Sequence, residues 1–325
     1  MRTPSWQHTR ALLVVALVAA GLAVTGGQAS AAPVAIELCA KEGTLALPGP
    51  ASVPIWGFGT PTTPGDCSTA TAGLPGPVLT VNEGDTVTLT VTNGLPAGHT
   101  LSMEMPGINL DAGPLQAASG ASVTLTFTAS HPGTYLYQSG GDEGRQLAMG
   151  LYGALVVGSN TAKQAYDDPG TAYDVDSVLV LSALDPDFNN APDTTEMHGY
   201  HATYWLINGK SYPDTPAITV PEGQRLLLRY VNAGYDQTSM SLLGTHEHVV
   251  ARDAHQVPSP FDAASETIPA GATEDAIMTM PAASAAPAVG GFPLFNRQLH
   301  LTNGNQTAAS PAPAAGGGML VFIHS

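Results

Sequence analysis

Two methionines stand at a spacing that could bind a soft metal ion. Met103 and Met105 are two residues apart in a segment predicted to be a β-strand, so both thioethers are expected on one face of it. Thioether sulfur suits Cu(I), and His99 is close by in the sequence. Because methionine also fills irregular gaps in protein cores, packing is the favoured interpretation, and a Cu(I) site is the alternative.

Two histidines repeat this spacing in the second half of the chain. His246 and His248 flank Glu247 and are predicted to share one face of a strand. Imidazole is a common ligand of Zn²⁺ or Cu²⁺. Two ligands alone make a weak, adventitious site, so a functional metal here is again only the alternative.

A third group combines an acid with two imidazoles. Glu196, His198 and His201 could form a metal site or an acid/base pair. Glycine and proline flank the segment, which favours a solvated loop. The chain shows neither a Ser-His-Asp spacing nor a glycine-rich phosphate loop, so no catalytic residue is predicted.

The chain has 2 cysteines, Cys39 and Cys67. In an exported protein their default state is a disulfide, which would restrain a segment rich in proline and glycine. The alternative is a pair of thiolate metal ligands, which would need another histidine or cysteine nearby in the sequence, and none is there.

The first residues resemble an export signal. Arg2 and Arg10 give a basic start, residues 11–24 are almost purely apolar, and residues 29–31 (Ala-Ser-Ala) suit a cleavage site. The apolar run is shorter than the roughly 20 residues of a membrane-spanning helix, and no second long run follows. We therefore expect a signal peptide over residues 1–31 and a secreted, extracellular mature protein without a transmembrane anchor.

Composition narrows the classes of fold and partner. The chain has 10 Lys+Arg against 26 Asp+Glu and a net charge of -16, which disfavours binding to nucleic acid. Only 11% of its residues are charged, and it contains 36 Gly and 27 Pro. Few charges with many turn residues are typical of a β protein.

A pattern of strand, Glu-Gly turn and strand occurs twice, at residues 77–93 and 216–232. Residues 86–91 alternate threonine with an apolar residue, as a half-buried strand does. The repeat length suits one Greek-key sandwich each. The predicted organisation is a first domain over 32–158, a linker over 159–172 and a second domain over 173–325.

Several motifs resemble the multicopper oxidase family in both order and spacing, across nearly the whole mature chain. The resemblance implies an all-β fold of two tandem cupredoxin-like Greek-key β-sandwich domains, but fold alone does not give function. The matching segments are 74–77, 83–85, 132–137 and 149–157 in the first domain, and 249–253 and 267–271 in the second.

The family's copper ligands are missing where the resemblance would place them. Met103 and Met105 stand in place of the His pair of H-x-H-G, and residues 138–140 (Gln-Ser-Gly) stand in place of H-S-H. Residues 243–245 (Leu-Gly-Thr) replace part of the third His motif. No cysteine follows Cys67, so the His₂Cys ligand set of a blue-copper centre cannot form.

Three functions follow as hypotheses. The favoured one is a secreted, non-catalytic binding or structural envelope protein with an extracellular partner or ligand of unidentified chemistry. The second is a copper-binding protein that uses Met103, Met105 and histidines. The third is a divergent copper-dependent oxidoreductase. We expect no cofactor, with copper as the alternative, and no enzymatic activity unless it is that of a multicopper-oxidase-like oxidoreductase.

Overall fold

The computed structural model describes residues 32–48, 52–111, 113, 115–287, 290–304 and 316–325. The signal peptide expected at residues 1–31 lies outside this range and stays a prediction. Within the described ranges, no helix is long and apolar enough to cross a bilayer.

The first half of the chain folds into two facing sheets. One has the strand order β2-β1-β4-β7 and the other β3-β9-β8-β5-β6. A short helix, α1, lies between β8 and β9. The bounds are β1 Pro33–Ala46, β2 Ser52–Gly59, β3 Leu79–Asn82, β4 Thr86–Gly94, β5 Leu101–Glu104, β6 Gln116–Ala117, β7 Ser122–Thr128, β8 Gly133–Ser139, α1 Arg145–Met149 and β9 Tyr152–Gly158.

The second half forms two further sheets, with the orders β11-β10-β13-β18-β15-β16 and β12-β20-β19-β14-β17. A short helix, α2, follows β10. The bounds are β10 Val175–Leu184, α2 Pro186–Asn190, β11 Tyr204–Ile207, β12 Ile218–Thr219, β13 Arg225–Asn232, β14 Thr238–Leu242, β15 Glu247–Arg252, β16 His255–Ala263, β17 Ser265–Ile268, β18 Thr273–Thr279, β19 Phe292–Asn296 and β20 Leu320–His324.

Alternation in the sequence explains how β4 and β7 are placed. Val87, Leu89 and Val91 of β4 are buried, while the threonines between them face outward. On that outer face the hydroxyls of Thr90 and Thr124 lie 3.3 Å apart across the strand pair. One face therefore packs and the other is solvated, as in each layer of a sandwich, and the prediction of an all-β sandwich fold is confirmed.

The second half repeats the strand order of the first. The repeated sequence pattern folds as β3 and β4 in one half and as β12 and β13 in the other. In both halves, the first strand of the pair lies in one sheet and the second strand in the facing sheet. The exact domain boundaries stay a prediction.

The segment assigned to the linker is held against the second half. Ala165 and Tyr166 are buried and pack in one apolar cluster with Leu227, Val250 and Ile277. The segment is therefore part of the packed structure and not a free connection.

A shared apolar cluster joins the two halves. Val53, Ile55 and Tyr152 of the first half pack in it with Leu206 and Val231 of the second. Burial of this cluster favours association of the two sandwiches through the hydrophobic effect.

The two cysteines form the predicted disulfide. Cys39 lies in β1 and Cys67 begins a short 3-10 helix, with the two Cα atoms 5.6 Å apart. The Lys41 ammonium donates to the backbone oxygens of Cys67 (3.0 Å) and Ala70 (2.8 Å), so the same loop is also held by hydrogen bonds.

Candidate functional site

The two methionines of the first candidate metal site belong to the core of the first half. Met103 lies in β5 and is 0% exposed, and Met105 follows the strand at 4%. Both pack in one cluster of buried apolar side chains that includes Leu101 and Leu125. Glu104, between them, is exposed and accepts a hydrogen bond from Gln138 (3.2 Å). The structure thus places both thioethers inward, as packing residues.

Residues 138–140, which the sequence resemblance aligns with H-S-H, take part in a hydrogen-bond network through Ser139. Ser139 lies opposite Met103 in the β5–β8 pair, and its hydroxyl donates to the buried Gln146 side chain (2.6 Å). The Gln146 amide in turn donates to the backbone oxygen of Thr100 (3.0 Å) and to the Asp142 carboxylate (2.9 Å). These polar groups are satisfied by each other.

His99 does not join the methionine pair as a ligand. Its Nδ1 lies 2.7 Å from the Asp142 carboxylate and its Nε2 lies 3.2 Å from that of Asp193. The ring also packs on Trp56, with the ring centroids 4.5 Å apart. Because both ring nitrogens face carboxylates, His99 acts in the structure as a bridge between acidic side chains.

The second candidate pair, His246 and His248, lies at the surface. His246 precedes β15 and is exposed, and the Nδ1 of His248 lies 2.7 Å from the Asp262 carboxylate on β16. Across the described part of the chain, no three histidine, cysteine or acidic side chains converge as a metal site would require.

The side chains at the positions that the sequence resemblance assigns to the copper ligands are thioether, amide and hydroxyl groups. A copper cluster needs several imidazole or thiolate donors around one point. Here two thioethers are packed among apolar side chains, and the neighbouring serine is committed to Gln146.

The second half contains a group of buried carboxyls that was not predicted from the sequence. Glu247 is 3% exposed and accepts a hydrogen bond from the Tyr230 hydroxyl (3.0 Å). Burial raises the pKa of Glu247 to about 8, against the lowering effect of that hydrogen bond. Burial also raises the pKa of Glu274 to about 7, although Arg252 donates to it at 3.0 Å. The sequence pattern could have predicted the burial of Glu247, because side chains alternate along a strand and Glu247 lies between two outward-facing histidines.

A second missed group holds the two halves together. The Asp275 carboxylate accepts hydrogen bonds from Thr134 of the first half and from Tyr166 of the connecting segment, both at 2.6 Å. The buried Arg229 guanidinium donates to Thr134 (3.1 Å) and lies 3.7 Å from Asp275. We call these four residues the interdomain latch.

Two cavities of similar size differ in their linings. One, of about 470 Å³, is lined by residues of both halves, among them Pro106, Thr134, Tyr135, Asp253 and Thr273. The other, of about 440 Å³, is lined by aromatic, imidazole and thioether groups. We call the second the aromatic cavity; the lining residues that matter below are Tyr200, Trp205, Tyr235, Asp236 and His300.

The acid and imidazole group noted in the sequence lies beside this cavity without forming a site. Met197–Gly199 is a short 3-10 helix, and His198 is exposed on it. His201 lines the aromatic cavity, whereas Glu196 and His198 do not. Among the described residues, these three side chains do not form a group that could hold a metal ion.

Comparison with known proteins agrees with the geometry of the scaffold. Residues 62–162 match the family described as multicopper oxidase. Residues 62–162 are thus similar to that family, and the chain has a cupredoxin-like fold. The chain superimposes on a blue copper oxidase from Nitrosomonas europaea with a TM-score of 0.73 at 23% identity, covering 90% of this chain and 86% of that one. For a copper nitrite reductase from Nitrosomonas europaea the TM-score is 0.66 at 24% identity, covering 90% and 93%.

The curated relatives are much longer proteins. Laccase-1 of Cryptococcus neoformans var. neoformans is 32% identical over 192 residues, which are 49% of this chain and 30% of the relative. Copper resistance protein A of Escherichia coli is 36% identical over 122 residues, 35% of this chain and 18% of the relative. The chain thus spans less than a third of the length of either protein.

Proposed function

We propose that this chain is an exported, non-catalytic binding or structural protein of the cell envelope that uses a cupredoxin scaffold without copper. One observation carries the proposal: Met103 and Met105 stand where the resemblance would place a histidine pair, and both are packed in the apolar core. Export is supported by the predicted signal peptide and by the Cys39–Cys67 disulfide, a cross-link typical of oxidising compartments.

The chemistry of the packed site argues against a redox role. A multicopper centre cycles charge on its metal ions, and charge in an apolar interior is costly unless ligands and hydrogen bonds compensate it. The neighbours of Met103 and Met105 in their cluster are apolar side chains. The nearby Ser139 hydroxyl and Gln146 amide are already paired with protein groups.

A copper-binding protein is the second candidate, and the methionine pair is the observation that favours it. Two thioethers two residues apart could bind Cu(I) if the strand end opened, since soft sulfur ligands select that ion. A divergent copper-dependent oxidoreductase would have to bind copper and also turn over a substrate. The two alternatives therefore differ in the result of an activity measurement.

Oxygen consumption with a phenolic reductant tests the proposal directly. We expect the mature protein, loaded with Cu(II) and freed of unbound metal, to consume oxygen no faster than a copper-free blank. The matched control is Met103→Leu/Met105→Leu, which keeps an apolar core of similar volume. Turnover in the natural sequence that disappears in this double variant would contradict a non-catalytic function.

A further inference from the structure

The walls of the aromatic cavity are fixed by hydrogen bonds that use the tyrosine hydroxyls. The Tyr200 hydroxyl donates to the backbone oxygen of Ala183 (2.9 Å), and the Tyr235 hydroxyl donates to that of Gly144. The two rings meet edge to face with centroids 5.5 Å apart. Because the hydroxyls are bound to backbone, the rings are held in place before any ligand arrives, which lowers the entropy cost of binding.

A third aromatic group is fixed by stacking. Trp205 of β11 lies against His300 with centroids 4.3 Å apart and ring planes 15° apart. Burial lowers the pKa of His300, partly opposed by the nearby Asp236 charge, which favours the neutral form of the imidazole. The stack therefore adds aromatic surface to the cavity without adding positive charge.

The electrostatics of the cavity favour a cation. Asp236 is exposed and lines the cavity, and the residues that form its described walls include no lysine or arginine. The net charge of the whole chain is -16, which adds a long-range attraction for positive ligands. Aromatic faces carry a negative quadrupole that attracts ammonium groups, and several aromatic rings around one cavity are the usual means of holding them.

We propose that the aromatic cavity binds a small organic cation carrying an ammonium group, held by Tyr200, Trp205 and Tyr235 with Asp236 as the counter-charge. Its volume of about 440 Å³ lies in the range of small-molecule sites. This inference deepens the proposed function, and rests on it, since it names the ligand class of a scaffold that works without copper.

The test is a titration with choline and with 3,3-dimethylbutan-1-ol, the uncharged isostere in which carbon replaces the ammonium nitrogen. Calorimetry and tryptophan fluorescence follow binding to the mature protein. We expect choline to bind with a dissociation constant in the millimolar range or below, at least about tenfold tighter than the alcohol, because only choline gains cation–π and charge interactions. Choline binding should also weaken as salt is added, since Asp236 is exposed.

Variants separate the cavity from the rest of the surface. Trp205→Leu and Asp236→Asn are each expected to weaken choline binding by about three- to tenfold, whereas the exposed Asp214→Asn, outside the cavity, should leave it unchanged. Asp236→Asn keeps the test valid if the tryptophan variant folds poorly.

Three results would overturn the inference. The first is equal binding of choline and the alcohol, and the second is no choline binding at a concentration on the order of tens of millimolar. The third is choline binding that neither cavity variant changes. Any of these results would leave the oxygen-consumption test standing, because that test concerns Met103 and Met105. Conversely, copper turnover would overturn the proposed function while choline binding could still be measured on the same sample.

Discussion

Glu247→Gln is expected to remove the larger part of the pH dependence of stability that the raised pKa values predict between about pH 4.5 and pH 8. Glu247 is buried, and its only direct polar partner among the described contacts is the Tyr230 hydroxyl at 3.0 Å. The carboxyl therefore keeps its proton in the folded state up to its raised pKa of about 8, whereas in the unfolded chain it loses that proton near pH 4.5.

The direction of the effect follows from this difference. A carboxyl with a raised folded-state pKa binds its proton more tightly when folded, so its contribution is fully present at low pH and is lost as the pH rises. For a pKa of about 8 the loss is on the order of 5 kcal/mol of unfolding free energy. Burial is the main cause, and the charges of Glu274 and Glu266 add to it.

Urea unfolding at a series of pH values measures this effect. The natural sequence should be most stable at mildly acidic pH, and Glu247→Gln should be the more stable of the two at pH 9, because it buries no ionisable group at position 247. The variant should keep a smaller pH dependence of its unfolding free energy, because Glu274 still has a raised pKa of about 7. The control Glu222→Gln changes an exposed carboxyl and should follow the natural profile. A Glu247→Gln profile that is as steep as the natural one would show that Glu247 is not the titrating group.

Asp275→Ala should lower the free energy of unfolding by about 3–5 kcal/mol, the usual cost of breaking a buried ion pair. The variant leaves the Arg229 guanidinium without its buried counter-charge and the Thr134 and Tyr166 hydroxyls without their acceptor. Because the latch connects both halves and the segment between them, the loss should weaken their association.

Matched variants distinguish the latch from ordinary surface pairs. Asp262→Ala removes the partner of His248 at the surface and should cost no more than about 1 kcal/mol. The double variant Arg229→Met/Asp275→Leu removes both charges and should be more stable than Asp275→Ala alone. If Asp275→Ala costs no more than Asp262→Ala, the latch does not hold the halves together.

The fold could be predicted because its signals are local. Alternation over residues 86–91 becomes the half-buried strand β4, and the repeated Glu-Gly pattern becomes equivalent strands in both halves. The disulfide between Cys39 and Cys67 was also accessible, since the chain offers no other pairing.

The sites were harder because their residues come together only through the tertiary structure. Asp275 is 141 positions from Thr134 and 109 from Tyr166, and no short pattern links them. The aromatic cavity likewise draws on Trp205 and His300 from distant parts of the chain.

Nearness in sequence was also misleading in one case. His99 was grouped with Met103 and Met105 as a candidate ligand because it is close in the chain. The structure directs its two ring nitrogens to Asp142 and Asp193. The structure places Met103 and Met105 in the apolar core, where methionine commonly fills gaps, and Cu(I) binding by the pair stays a prediction to be tested.

Copper content is the measurement that tests the central claim most directly. Mature protein from residue 32 onward, loaded with Cu(I) or Cu(II) and washed with a mild chelator, would be analysed by mass spectrometry. Matched controls are Met103→Leu/Met105→Leu and Met240→Leu, which alters a methionine buried in the other sandwich. We predict copper near zero in all three proteins. One or more equivalents of copper in the natural sequence, lost in the double variant and kept in Met240→Leu, would contradict a scaffold that works without copper.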